Sequence, residues 1–225
     1  MKPMLLAARA APLLTVLLCG CTGLFHSNAL PEQTYYLRAP AVPAGSAAAA
    51  PAAASLRVAR PLADPGLDTS RIMLLQPDHR MSFYANSRWP AAMPDMVGAL
   101  AVQMLRASGH WASVEDAASP FPSDYLLQLT VRRFDADYTS GALAPEVHVV
   151  FEGIFGRRDG REVIATFVVA GSAQASANRL SEVVGAFEQA ADAALDALSQ
   201  QAVQAAQAAA QNAASPAPSS SRYSQ

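Results

Sequence analysis

Two stretches of this chain repeat apolar residues at helical spacing, and the stretches between and around them alternate apolar with polar residues at strand spacing. Met96, Leu100, Met104 and Leu105, with Val97 and Ala101 beside them, form the stripe of a first helix. Pro94 and Asp95 suit its first turn, and Ser108-Gly109 its end. Leu180, Val183, Val184, Phe187, Ala191, Ala194, Leu195 and Leu198 stripe a second helix, expected from about Asn178 to Val203 or beyond. Glu182, Glu188, Asp192 and Asp196 lie largely off that stripe.

Between the helices, Leu127, Leu129 and Val131 alternate with Gln128, Thr130 and Arg132, as in a half-buried antiparallel strand from Tyr125 to Phe134. Val147, Val149, Phe151 and Phe155 predict the next strand, with His148 and Glu152 opposite. Arg158-Asp159-Gly160 is a hairpin turn, and Val163 to Ala170 the returning strand. Trp111 to Val114 reads as an edge strand. Upstream, Gln33 to Arg38, Leu56 to Ala59 and Ile72 to Leu75 are short strands, with a turn at Asp64-Pro65-Gly66. The order of strands, helix, strands, helix predicts a single α+β domain, an antiparallel sheet with two helices packed on one face. The domain is expected over 33–200, interrupted at 39–54 by an Ala/Pro-rich loop without periodicity. Residues 201–225 are expected as an Ala/Gln/Ser-rich tail, helical at first and then disordered.

The N-terminus follows a different pattern. Lys2 and Arg9 precede an apolar run from Ala10 to Leu18, roughly half of the ~20 residues that a membrane-spanning helix needs. Basic residues before a short apolar run mark an export signal over residues 1–20. The run ends Leu18-Cys19-Gly20-Cys21, an apolar residue, two small ones and a cysteine, which is the pattern of a lipobox. Cys21 is therefore the expected lipidation site, its thiol carrying diacylglycerol and its freed α-amine an acyl group. Two or three chains hold a protein on a membrane stably, where one does not. Residues 21–32 would be the tether. Thr22, rather than Asp, after the lipidated cysteine suggests sorting to the outer membrane.

Charge and cysteine usage narrow the function. The formal charge is −2, and loss of Lys2 and Arg9 moves it to −4, so no basic footprint for nucleic acid exists. Both cysteines lie at the signal junction, leaving no disulfide, thiol nucleophile or cysteine metal site in the domain. His26, His79, His110 and His148 are scattered, with no zinc spacing. No nucleophile elbow and no phosphate-binding glycine loop occur, so neither catalysis nor a cofactor is expected. Asp135 and Asp137 read as a solvated strand end before they read as a carboxylate pair for glycoside chemistry. Met73, Met81, Met93, Met96 and Met104 read as core. The segment from Met81 to Trp89 sets Phe83, Tyr84 and Trp89 among Ser82, Asn86, Ser87 and Arg88. Aromatics and arginine are favoured at interface hot spots, so Phe83, Tyr84, Arg88 and Trp89 are the candidate partner-binding residues. Tyr84 and Trp89 equally suit a core cap on the sheet edge.

These features, in this order, resemble the ABC-type transport auxiliary lipoproteins of the paraquat-inducible protein C type. The resemblance runs through the lipobox at Cys21, Tyr35-Tyr36-Leu37, Val58-Ala59-Arg60-Pro61 and Asp68-Thr69-Ser70-Arg71-Ile72. It continues through Phe83-Tyr84, Trp89-Pro90, Tyr125-Leu126-Leu127 and the closing helix from Leu180. It departs at the long Ala/Pro loop, at the Ala/Gln tail and at Pro90-Ala91-Ala92, where many members carry an acid after the Trp. The resemblance implies a non-catalytic accessory subunit of a system built on mammalian-cell-entry (MCE) domain proteins. Such systems move lipids or other hydrophobic molecules between the inner and outer membranes. The lipoprotein would sit on the periplasmic face of the outer membrane and dock the MCE protein, singly or as a homo-oligomeric ring. An inner-membrane permease and a separate ATPase complete such a system. A lipid-binding carrier and a structural outer-membrane assembly lipoprotein are the alternatives.

Overall fold

The computed structural model describes residues 31–38, 52–159 and 161–214. Residues from Gln33 onward form one compact unit and those up to Glu32 another, and the fold below is that of the former. The export signal, Cys21, most of the Ala/Pro loop and the Ser/Pro end of the tail lie outside the described residues.

Strand β7 (Tyr125–Asp137) is the spine of a nine-stranded sheet. Along one side β8 (Glu146–Arg157) pairs antiparallel over its whole length, and β9 (Glu162–Gln174) pairs antiparallel to β8. Three short strands share the other side: β2 (Ala52–Val58), β3 (Leu62–Ala63) and β4 (Arg71–Leu75), all parallel to β7. They act as one extended run broken at Pro61 and at the Asp64-Pro65-Gly66 turn, because proline cannot donate to a ladder. β5 (Met81–Arg88) folds back antiparallel on β4, β1 (Gln33–Thr34) lies parallel on β5, and β6 (Trp111–Glu115) lies parallel on β2 as an edge.

The α+β class with two helices on a sheet is as expected. The pairing is mixed, because the crossover through helix α1 (Met93–Ala107) returns the chain to β7 in the direction of β2–β4. Alternation along a strand is the same in either direction, so it does not distinguish the two pairings. The first strand is shorter than expected, β2 begins at Ala52 inside the expected loop, and β5 is a strand that alternation does not reveal.

A bulge explains the changing parity of β7. Leu127, Leu129 and Val131 face the core, the register to β8 shifts between Val131 and Arg133, and Phe134 and Ala136 then face inward. Helix α1 buries Met93, Val97, Leu100, Ala101 and Leu105 in that same core. Helix α2 (Leu180–Ala214) is 35 residues long, about 50 Å at 1.5 Å per residue, and lies along β8 and β9. A Cβ on Gly171 of β9 would stand 2.1 Å from the Ala190 carbonyl oxygen, so backbone meets backbone there. Small residues on both elements permit that approach. The helix continues past the boundary expected at residue 200, with Ala202, Ala205, Ala206 and Ala209 buried. Residues 201–214 therefore belong to the domain rather than to a tail.

Candidate interaction surfaces

β5 carries the candidate partner-binding residues on an irregular strand. β4 and β5 pair at Arg71↔Arg88 and next at Met73↔Phe83, so β5 bulges over residues 84–87. Asn86 takes a left-handed φ of 51°, a conformation that Asn tolerates better than most residues. The buried Ser87 hydroxyl lies 3.1 Å from the Tyr84 carbonyl and 3.2 Å from that of Ala85, which holds the bulge.

The bulge gives the four residues different environments. Phe83 is half-buried, with the Arg71 guanidinium 3.9 Å above its ring, in cation–π geometry. The Tyr84 hydroxyl hydrogen-bonds that of Tyr138 at 2.8 Å, and Tyr138 donates to the Asn178 side chain at 2.7 Å. Burial and that hydrogen bond push the Tyr84 phenol far above its usual range, so it stays neutral. Arg88 is half-buried, and its Nε donates to the Trp89 carbonyl at 3.3 Å. Trp89 departs from the surface expectation. Its side chain is 0% exposed, edge-on to Phe134 at 6.1 Å and to Phe187 at 5.3 Å. The polar run before it conceals this, because the chain turns inward where the Trp89 amide bonds the Ser70 carbonyl. Trp89 is a core residue that holds the end of β5.

A second surface escapes sequence reasoning. A groove of about 380 Å³ lies between the end of β2, helix α1 and the turn after β6. Val58, Pro61, Gly98 and Val102 give it apolar walls, and Arg60, Asp95, Arg106 and Asp116 give it a charged rim. Gly98 makes room for Pro61, since a Cβ would stand 3.0 Å from Pro61 Cδ. Arg60 and Asp95 form a two-point ion pair at 2.7 and 3.2 Å. The hydrogen bond from Arg60 holds the Asp95 carboxyl below the usual range. Arg106 Nε donates to the Val114 carbonyl at 2.8 Å, tying α1 to β6. Arg60 and Asp95 are far apart in sequence, and no motif links them.

The remaining sequence candidates are structural. Arg133 stands between Asp135 and Asp137, at 2.8 and 2.9 Å, so the two carboxylates share a guanidinium. Burial works to raise the Asp137 pKa, but Thr139 and Arg133 outweigh it and hold the carboxyl low. His148 faces the outer side of the sheet, 3.8 Å from Glu146. Met73, Met93, Met96 and Met104 are core, whereas Met81 is half exposed. Among the described residues no group of three or more metal-ligating side chains occurs, and no helix is long and apolar enough to cross a membrane.

The model of a family described as the ABC-type transport auxiliary lipoprotein component matches residues 35–215, which take in every described element except β1. The chain belongs to that family. Among solved structures, the auxiliary-lipoprotein domain is similar to protein XCC0632 from Xanthomonas campestris, of the family DUF330, at 25% identity and a TM-score of 0.71. That match covers 80% of this chain and 99% of the other. A second structure, of an uncharacterized protein, matches at 16% identity and a TM-score of 0.50, over 80% of this chain and 98% of that one. No curated protein matches. Membership makes this auxiliary lipoprotein a membrane-anchored envelope component associated with an ABC-type transport system. The match through residue 215 agrees with a domain that includes all of α2.

Proposed function

We propose that this lipoprotein is the non-catalytic docking subunit of an MCE-type ABC transport system. It is held by acyl chains on Cys21 at the periplasmic face of the outer membrane. There it receives the periplasmic MCE protein, behind which stand the inner-membrane permease and ATPase, and the cargo is a lipid or another hydrophobic molecule. The observation that carries this reading is the family match over nearly all of the folded domain, joined to the lipobox before it. We place the MCE contact on the β5 bulge, with Phe83, Arg88 and the stacked Arg71 at the surface and Trp89 and Tyr84 fixing the strand beneath them.

The packing argues against a ligand carrier. The space between sheet and α2 is filled where Phe134 and Phe187 stack at 5.1 Å and Trp89 closes on both. The experiment is co-purification of the full-length lipoprotein from crosslinked cells of its native host, with Phe83→Ala/Arg88→Ala and Ala99→Arg variants alongside. Ala99 is an exposed residue of the groove, so arginine there blocks the groove without touching the core. Recovery of an MCE-domain protein that the β5 variant loses supports the proposal. Loss with Ala99→Arg alone moves the contact to the groove. Recovery of outer-membrane assembly proteins instead overturns the transport reading.

A further inference from the structure

Arg71 opens β4, in register with Arg88 at the end of β5. The residue is exposed, yet its guanidinium is held 3.9 Å above the Phe83 ring. Its backbone is fixed as well, because its amide donates to the Thr69 hydroxyl at 3.2 Å. Among the described residues no carboxylate stands within ion-pair distance of Arg71, and no acceptor takes its guanidinium N–H groups. Other arginines are answered. Arg60 meets Asp95, Arg80 meets Asp78, and Arg132 meets Asp64 and Glu152. Arg57 and Arg106 bond backbone carbonyls. Arg157, Arg161 and Arg179 also lack a carboxylate among the described residues, but no aromatic ring orders them.

Arg71 is thus both ordered and unanswered. A free arginine loses much rotamer freedom when a partner fixes it, whereas the stack on Phe83 has already imposed that loss. The planar fork of a guanidinium matches the two oxygens of one carboxylate. β4 and β5 contain no acidic residue, so neither strand supplies one. Anionic lipid surfaces attract clusters of about four to eight basic residues. Here the cluster is smaller, since Arg80, between the two strands, is neutralised by Asp78. One ordered guanidinium beside a half-buried ring suits one carboxylate next to an apolar side chain, which is the chemistry of a protein surface.

We infer that Arg71 determines the specificity of the β5 surface by taking the carboxylate of an acidic side chain on the partner protein in a two-point pair, while the open part of Phe83 meets an apolar neighbour of that acid. This rests on the reading that β5 receives the MCE protein, and it supplies the chemistry of the contact. The groove under α1 offers no equivalent, because its Arg60 is already closed by Asp95.

The test is photocrosslinking from a benzophenone amino acid at position 85, an exposed alanine of the bulge, in the full-length lipoprotein in membranes isolated from its native host. The unaltered chain is compared with Arg71→Lys and Arg71→Gln, each at low and at high salt. The expected result is an adduct with an MCE-domain protein whose yield falls about tenfold in Arg71→Gln. Arg71→Lys should lose less, because it keeps the charge without the fork. Salt should lower the yield of the unaltered chain and leave that of Arg71→Gln unchanged, which separates a lost ion pair from a lost fold. Equal yields and equal salt dependence in all three overturn the inference and leave the docking reading standing. An adduct with phospholipid in place of protein also overturns it. No MCE adduct from the unaltered chain overturns both.

Discussion

The two sides of β7 are built on different principles. On one side lie β8 and β9, long strands consecutive in the chain and backed by a 35-residue helix. On the other, β2, β3 and β4 divide the same edge into short parallel stretches, with β5 and β6 attached beyond them. The long side gains its order from local pairing. The short side depends on long-range ties: the Trp89 amide to Ser70, Tyr138 to Tyr84, and Arg106 to β6. Both candidate surfaces, the β5 bulge and the groove under α1, lie on the short side. Regularity supports the fold, and irregular connections create shape that a partner can read.

Trp89 is the link between the two sides, so its removal is the largest test of the comparison. Trp89→Ala should cost about 4 kcal/mol in chemical denaturation, by emptying the space beside the stacked Phe134 and Phe187 rings. Trp89→Phe should cost far less, because the deleted indole N–H has no hydrogen-bond partner among the described residues. Equal losses would show that the two sides do not meet through this ring.

Gly171 probes the long side alone. Gly171→Ala drives a methyl into the Ala190 carbonyl and should cost about 3 kcal/mol, with hydrogen exchange rising along α2 and β9 rather than in β4 and β5. Uniform exchange would merge the two regions into one cooperative unit.

Arg133→Met leaves the buried Asp135 carboxylate and Asp137 without their cation and should cost about 2 kcal/mol at neutral pH. The Asp137 pKa is depressed in the folded state. Its contribution is therefore present above the ordinary carboxylate pKa and is lost as pH falls through the folded value. Wild type and variant should converge in acid, which a pH series of melting curves checks.

The smallest effect is a gain. Burial, with Glu188 one turn away, raises the Asp192 pKa, so the folded state disfavours its charge. Asp192→Asn should raise the melting temperature slightly at neutral pH, and the gain should vanish as pH falls through the ordinary carboxylate pKa. A variant less stable than wild type at pH 7 would assign Asp192 a stabilising contact.

The same division decides what could be read from the sequence. β7, β8, β9 and both helices follow hydrophobic periods that hold over many residues, so their type and order were legible. β5 was not, because its bulge breaks alternation and Ser82, Asn86 and Ser87 mimic a loop. For the same reason the sequence left Trp89 open between an interface residue and a core cap. The last turns of α2 were underrated because alanine carries little hydrophobic signal, yet alanine is what lets that helix lie close to β9. The groove joins residues distant in sequence through the path of the chain, and nothing local announces it.

The central claim is that the short side of the sheet receives the transport partner. It is tested most directly by placing a photocrosslinking phenylalanine analogue at position 83 of the lipoprotein in its native host, with a second variant labelled at position 168. Irradiation is predicted to join position 83 to an MCE-domain protein and to leave position 168, on the long side, without that partner. Capture of the MCE protein by position 168, with none at position 83, would contradict the account.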